Sequence, residues 1–163
     1  MRLFRHLFAP SSRRLFPEPV LQRIAETVAR DELRHRGEIR FAVEARLGIA
    51  ALRNGVTARH RALEVFSQLR VWDTRENNGV LIYLLLADRR IEIVADRGLD
   101  DRVSPEQWRG VCLLMEERMA AGEPASAALA GVSAAGDLLI EHFPMVDPDT
   151  DRNELPDAPV LLG

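Results

Sequence analysis

Asn78-Gly79-Val80-Leu81-Ile82-Tyr83-Leu84-Leu85-Leu86-Ala87-Asp88-Arg89-Arg90-Ile91-Glu92-Ile93-Val94-Ala95-Asp96-Arg97-Gly98 is the stretch that decides the fold. From Val80 to Leu86 the only polar side-chain group is the Tyr83 hydroxyl, so a strand here must be covered on both faces and lies inside a sheet. Ala87-Asp88-Arg89-Arg90 supplies a turn. The arm that follows alternates, with Ile91, Ile93 and Ala95 on one face and Glu92 on the other, and suits a strand nearer the sheet edge. Together they form a β-hairpin. Asn78-Gly79 is itself a hairpin-turn dipeptide, but the segment before it is helical in pattern, so here it launches the strand.

Upstream, Glu38 to Ala45 alternates Ile39, Phe41, Val43 and Ala45 with Glu38, Arg40 and Glu44, which reads as a half-buried strand. Leu47 to Gly55 fits neither period. Thr57 is placed to cap a helix with Ala58, Ala62, Val65, Phe66 and Leu69 on its inner face, ending near Arg70. Strand, helix and central strand make a crossover unit, so the first strand runs parallel to Val80–Leu86. Before it, Val20, Leu21, Ile24, Val28 and Leu33 form a helical stripe that starts at Pro17 and stops at Gly37.

After the hairpin, Ser104-Pro105-Glu106-Gln107 is a capping box with proline in the first turn. Its helix buries Trp108, Val111, Cys112, Met115 and Met119 and closes at Gly122 and Pro124. A last helix from about Ser126 presents Leu129, Val132, Leu139 and Phe143. The sum predicts an α/β fold: a three-layer α/β/α sandwich around a small mixed sheet, with a parallel crossover and an antiparallel hairpin. Residues 1–16 read as a basic leader, 17–143 as the domain, and 144–163 as an extended tail docked through Leu155 and Val160-Leu161-Leu162.

The chain has 163 residues and is 47% hydrophobic, enough for one core. A net charge of -3 gives no nucleic-acid footprint. All 22 basic residues are arginine, which excludes lysine nucleophiles and Schiff bases. Cys112 is the only cysteine, so a reducing compartment is acceptable. No apolar run has the length of a transmembrane span or a signal peptide, and the expected location is cytoplasmic. Residues 1–16 hold Leu3, Phe4, Leu7 and Phe8 among arginines without an acid, a pattern that reads first as a frayed or domain-packed leader and second as a short basic amphipathic segment in weak peripheral contact with anionic lipid or a membrane protein at the inner membrane.

The predicted sheet order gathers one rim from Glu38, the Asp73-Thr74-Arg75-Glu76-Asn77-Asn78 loop, Asp96-Arg97 and Asp100-Asp101. Asp73, Asn78, Asp96, Asp100 and Asp101 are the candidate ligands there for a hard cation, calcium before magnesium, and Arg75 and Arg97 are candidate anion contacts. The plainer reading is turn-forming aspartates paired with arginines. Asp147-Pro148-Asp149-Thr150-Asp151 opens like an EF-hand loop, but Arg152 and Ala158 stand where glycine and glutamate belong. Glu32-Leu33-Arg34-His35 has di-iron spacing without a second motif. Cys112, on an apolar stripe, is a core thiol. No glycine-rich phosphate loop, Cys-x-x-Cys pair or acyl-transfer signature is present, so neither a nucleotide nor a redox cofactor is expected.

Val71-Trp72-Asp73-Thr74, Asn78-Gly79-Val80-Leu81-Ile82, Asp88-Arg89 and Gly98-Leu99-Asp100 resemble the TPM domain family of bacteria and the plant thylakoid lumen. Gly37-Glu38-Ile39-Arg40-Phe41-Ala42-Val43 and Asn153-Glu154-Leu155-Pro156-Asp157 are similar to its short bacterial branch, which lacks the export signal and anchor of many relatives. The resemblance implies an accessory protein in membrane-protein or envelope maintenance, with an unidentified, membrane-associated protein partner. It also implies calcium at Asn78, Asp96 and Asp100. The alternative it carries is a metal-dependent acid phosphatase-like hydrolase.

Overall fold

The computed structural model describes residues 1–163. In chain order they form α1 (Arg2–Leu7), α2 (Ser12–Leu15), α3 (Glu18–Glu32), β1 (Glu38–Glu44), α4 (Ile49–Arg53) and α5 (Ala58–Gln68). There follow β2 (Gly79–Leu85), β3 (Arg90–Ala95), a 3-10 turn (Arg97–Leu99), α6 (Pro105–Ala120), α7 (Pro124–His142) and β4 (Val160–Leu162). The helix starts are set by local chemistry. Thr57 Oγ1 accepts from His60 N, and Ser104 and Gln107 exchange both capping-box bonds. Pro124 starts α7 slightly before the Ser126 that its apolar pattern indicated.

The sheet order is β3-β2-β1-β4. β1 and β2 are parallel, from Glu38 opposite Gly79 to Glu44 opposite Leu85, and β2 and β3 are antiparallel, from Val80 opposite Ala95 to Leu85 opposite Arg90. Alternation then divides the core in two. Ile39, Phe41, Val43, Val80, Ile82, Leu84, Ile91 and Ile93 pack with residues of α3, α6 and α7, while Ala42, Leu81, Tyr83, Leu85 and Val94 pack with Ala58, Ala62 and Val65 of α5. That is the mixed α/β sandwich read from the sequence.

β1 differs from its reading as a half-exposed strand. Every residue in it is buried, Glu38, Arg40 and Glu44 included. The tail is the cause. β4 pairs with β1 in parallel, Ala42 opposite Val160 to Glu44 opposite Leu162, and the segment before β4 supplies partners for the charges. Glu38 accepts from Glu154 N at 2.8 Å and Leu155 N at 3.1 Å. Arg40 donates to the carbonyls of Pro156 and Ala158. On the α5 side, Glu44 accepts from Tyr83 Oη at 2.6 Å and Arg61 Nε at 2.8 Å. A buried charge is tolerated only when paired in this way.

α1 folds back onto the hairpin tip. Its Arg2 and His6, one turn apart, face the protein. Arg2 donates to Asp88 at 2.7 Å and to Val56 O at 2.7 Å. His6 is 2% exposed; its Nδ1 accepts from Leu47 N at 2.9 Å and its Nε2 meets Asp88 Oδ1 at 3.0 Å. An imidazole that accepts at one nitrogen and donates at the other is neutral. α4 occupies the stretch that showed no period, and none of its residues is buried, which explains the missing pattern.

Candidate functional site

The hairpin and the parallel crossover do bring the predicted rim loops to one end of the sheet. Asp96 N donates to Gly79 O at 2.9 Å, and Gly98 N donates to Asn77 O at 2.8 Å. The side chains, however, do not converge. Asn78 is in phase with Val80, on the α3/α6/α7 face, and Asp96 is in phase with Val94, on the α5 face. Nowhere in the structure do three or more His, Cys, Asp or Glu side chains gather as a group able to hold a metal ion. The set Asp73, Asn78, Asp96, Asp100 and Asp101 therefore does not fit as one ligand shell.

Each of these residues has its own local task. Asp73 is exposed and pairs with Arg70 at 2.7 Å. Asn78 is fully buried: its N–H donates to Thr74 Oγ1 at 3.1 Å and its Nδ2 to Arg36 O at 2.9 Å, while Oδ1 has no partner. Asp96 caps the 3-10 turn through Arg97 N at 2.8 Å, and its Oδ2 is buried without a partner. Arg97, Asp100 and Asp101 are exposed, as is Arg75, whose backbone N–H donates to the Glu154 carboxylate at 2.9 Å. What a hard cation would find is the spare oxygen of Asp96, while at the neighbouring Gly98 the chain passes close to the carbonyls of Glu76 and Asn77. Those two crowd Gly98 so closely that a Cβ there would lie 2.5 Å from each.

Glu38, expected at the rim, instead anchors the tail, and burial pushes its carboxyl up to about 7. Sequence reasoning passed over its neighbour. Burial, with Glu38 and Asp157 nearby, raises Glu32 to about 9, so at neutral pH it is protonated and can donate to Asp157 while accepting from Ile39 N. The signal was available, because Glu32 continues the Ile24–Val28 stripe of α3. Its supposed di-iron partner His35 is fully buried and pushed down to about 4 by burial, so it stays neutral.

A second feature was foreseen only in part, in the reading of the alternating arm as a strand nearer the sheet edge. β3 is the free edge of the sheet, and a cleft of about 550 Å³ runs along it between α5 and α6. Arg59, Arg90, Glu92, Trp108 and Arg109 line it, with Cys112 at its floor, where burial raises the thiol to about 11 and leaves it unreactive. The bond from Asp96 N to Gly79 O fixes the phase of the ladder. Val94, Glu92 and Arg90 therefore face β2 with their backbone groups, and Ile91, Ile93 and Ala95 turn theirs to the open edge. Arg59 already donates across that edge to Ile93 O.

Comparison with known proteins agrees with this architecture. BA42 protein from the psychrophilic bacterium Bizionia argentinensis, solved by NMR, is 28% identical with a TM-score of 0.74 over 88% of this chain and 93% of its own. The N-terminal domain of a P. gingivalis protein is 18% identical with a TM-score of 0.66, over 84% and 86%, a likeness of fold. No curated protein matches. A family profile described as the TPM domain matches residues 13–138, leaving α1 and β4 outside it, and the chain belongs to the TPM domain family.

Proposed function

We propose that this chain is a binding member of the TPM family, an accessory protein in membrane-protein or envelope maintenance. It holds an extended segment of a membrane-associated partner as an added strand along β3. The observation that supports this is the open edge itself, where Ile91 and Ala95, and Ile93 through its N–H, offer unpaired main-chain groups inside a ready-formed cleft, and where Arg59 would have to release the Ile93 carbonyl. An added strand would alternate too. Its apolar side chains face Trp108 and its acidic ones face Arg59 and Arg90, so the partner segment alternates apolar and acidic residues.

Random-peptide display against the purified protein tests this. Peptides of that alternating pattern should be enriched, and should lose binding to Ala95→Pro, which removes an outward N–H without breaking the ladder to β2. Selected peptides that bind Ala95→Pro equally well would sink the reading. A divalent cation at Asp96 is a second reading, favoured by the unpartnered Oδ2. Turnover of an aryl phosphate with calcium or magnesium, lost in Asp96→Asn, would replace both with the phosphatase-like hydrolase.

A further inference from the structure

The end of the molecule opposite the rim carries an unpartnered apolar face. With Arg2 and His6 turned inward, the helical repeat places Phe4 diametrically opposite them, flanked by Leu3, Leu7 and Phe8. All are open to solvent: Leu3 45%, Phe4 65%, Leu7 49% and Phe8 81% exposed. A six-residue helix cannot hold such a face by itself in water. Here the bonds of His6 to Leu47 and of Arg2 and His6 to Asp88 fix its orientation.

The surroundings are cationic. The chain has no acid before Glu18, and Arg5, Arg13, Arg14, Arg46 and Arg89 are all exposed. Arg13 and Arg46 line one depression with Ala9, and Arg89 and Arg90 line another with Pro10 and Leu15, so these charges border the segment that follows α1. Of the carboxylates nearby, Asp88 is already paired with Arg2, and Glu116, which shares the second depression, with Arg109. Apolar rings projecting through a border of guanidinium groups match the interface of an anionic bilayer, where rings sit at the headgroup boundary and arginines meet phosphates.

We infer that α1 docks this protein on anionic lipid, with Phe4 and Phe8 entering the interface and the surrounding arginines contacting the headgroups. The inference rests on the membrane-side accessory reading, but uses a different surface from the β3 edge. Docked in this way, the protein has its rim turned from the bilayer and the β3 cleft open to a partner.

The test is co-flotation of the full chain with vesicles of phosphatidylglycerol and phosphatidylethanolamine in equal parts, against vesicles of phosphatidylcholine. Binding to the anionic vesicles alone is expected, falling about tenfold in the double variant Phe4→Ser, Phe8→Ser and by a similar factor in Arg5→Glu, Arg13→Glu. Because these side chains lie outside the core, melting should be unchanged in all variants. Ala95→Pro should float like the wild type, so failure of the partner-strand reading leaves this result intact. No flotation, or flotation indifferent to the two phenylalanines, overturns the inference. So does a lipid-free dimer in gel filtration that Phe4→Ser, Phe8→Ser dissociates, since a second copy would then be the occupant.

Discussion

Replacing Glu32 by glutamine should stabilise the protein at neutral pH. Glu32 accepts from Ile39 N at 3.1 Å, and its other oxygen is buried without a hydrogen-bond partner. The folded state raises its pKa from 4.5 to about 9, chiefly through burial, so folded chains hold a proton that unfolded chains release above pH 4.5. The sign follows: this group costs nothing below pH 4.5, and stability falls steadily as pH rises toward 9. At about 1.36 kcal/mol per pH unit the ceiling at pH 7.5 is about 4 kcal/mol, and relaxation and water entry reduce that to about 2. Glutamine keeps the acceptor for Ile39 and gains a permanent donor for Asp157. Glu32→Gln should therefore melt about 4–8 °C higher at pH 7.5, with little change at pH 4.5. Glu38, raised to about 7, adds to the same slope between pH 4.5 and 7. His35 works in reverse: its lowered pKa of about 4 gives stability above pH 6.5 that is lost as pH falls. Calorimetry of wild type and variant at several pH values decides it. An equal gain at pH 4.5 and 7.5, or a loss at pH 7.5, would refute the reasoning.

Tyr83→Phe removes the 2.6 Å donor to buried Glu44 but leaves Arg61 in place, and should cost about 1.5–3 kcal/mol in urea unfolding. Gly79→Ala would set a Cβ 2.0 Å from Val71 O; a loss of about 3 kcal/mol or more, seen as lower melting or insoluble expression, is the expected outcome. If calcium binds the folded state at Asp96, saturation at about 100 times its dissociation constant adds about 2.7 kcal/mol. Asp96→Asn should abolish the resulting rise in melting temperature. Asp73→Asn, already paired with Arg70, should leave it unchanged.

The fold was legible where one face or one cap carries the information. The unbroken run of β2, the alternation of β3 and the Ser104–Gln107 box each state their structure within a few residues. β1 misled because alternating charge normally means solvent, and its cover comes from residues more than a hundred positions later. The rim was legible as loops but not as a site. Sheet order says which loops share an end, whereas the pleat turns Asn78 and Asp96 to opposite faces. The placement of α1 was half legible, since its apolar and basic residues stand out, but only the bonds of His6 and Arg2 show which way they point. The alternation of β3 pointed to an edge, but the cleft beside it had no local signal, because α5 and α6 complete it from distant parts of the chain.

Amide hydrogen exchange, resolved by NMR with and without a display-selected peptide of alternating apolar and acidic residues, tests the binding account most directly. In the free protein Glu92 and Val94 should exchange slowly and Ile91, Ile93 and Ala95 fast. With the peptide, the three fast amides should become protected. Protection confined to the Asp96–Asp101 rim, or no change along β3, would contradict the account.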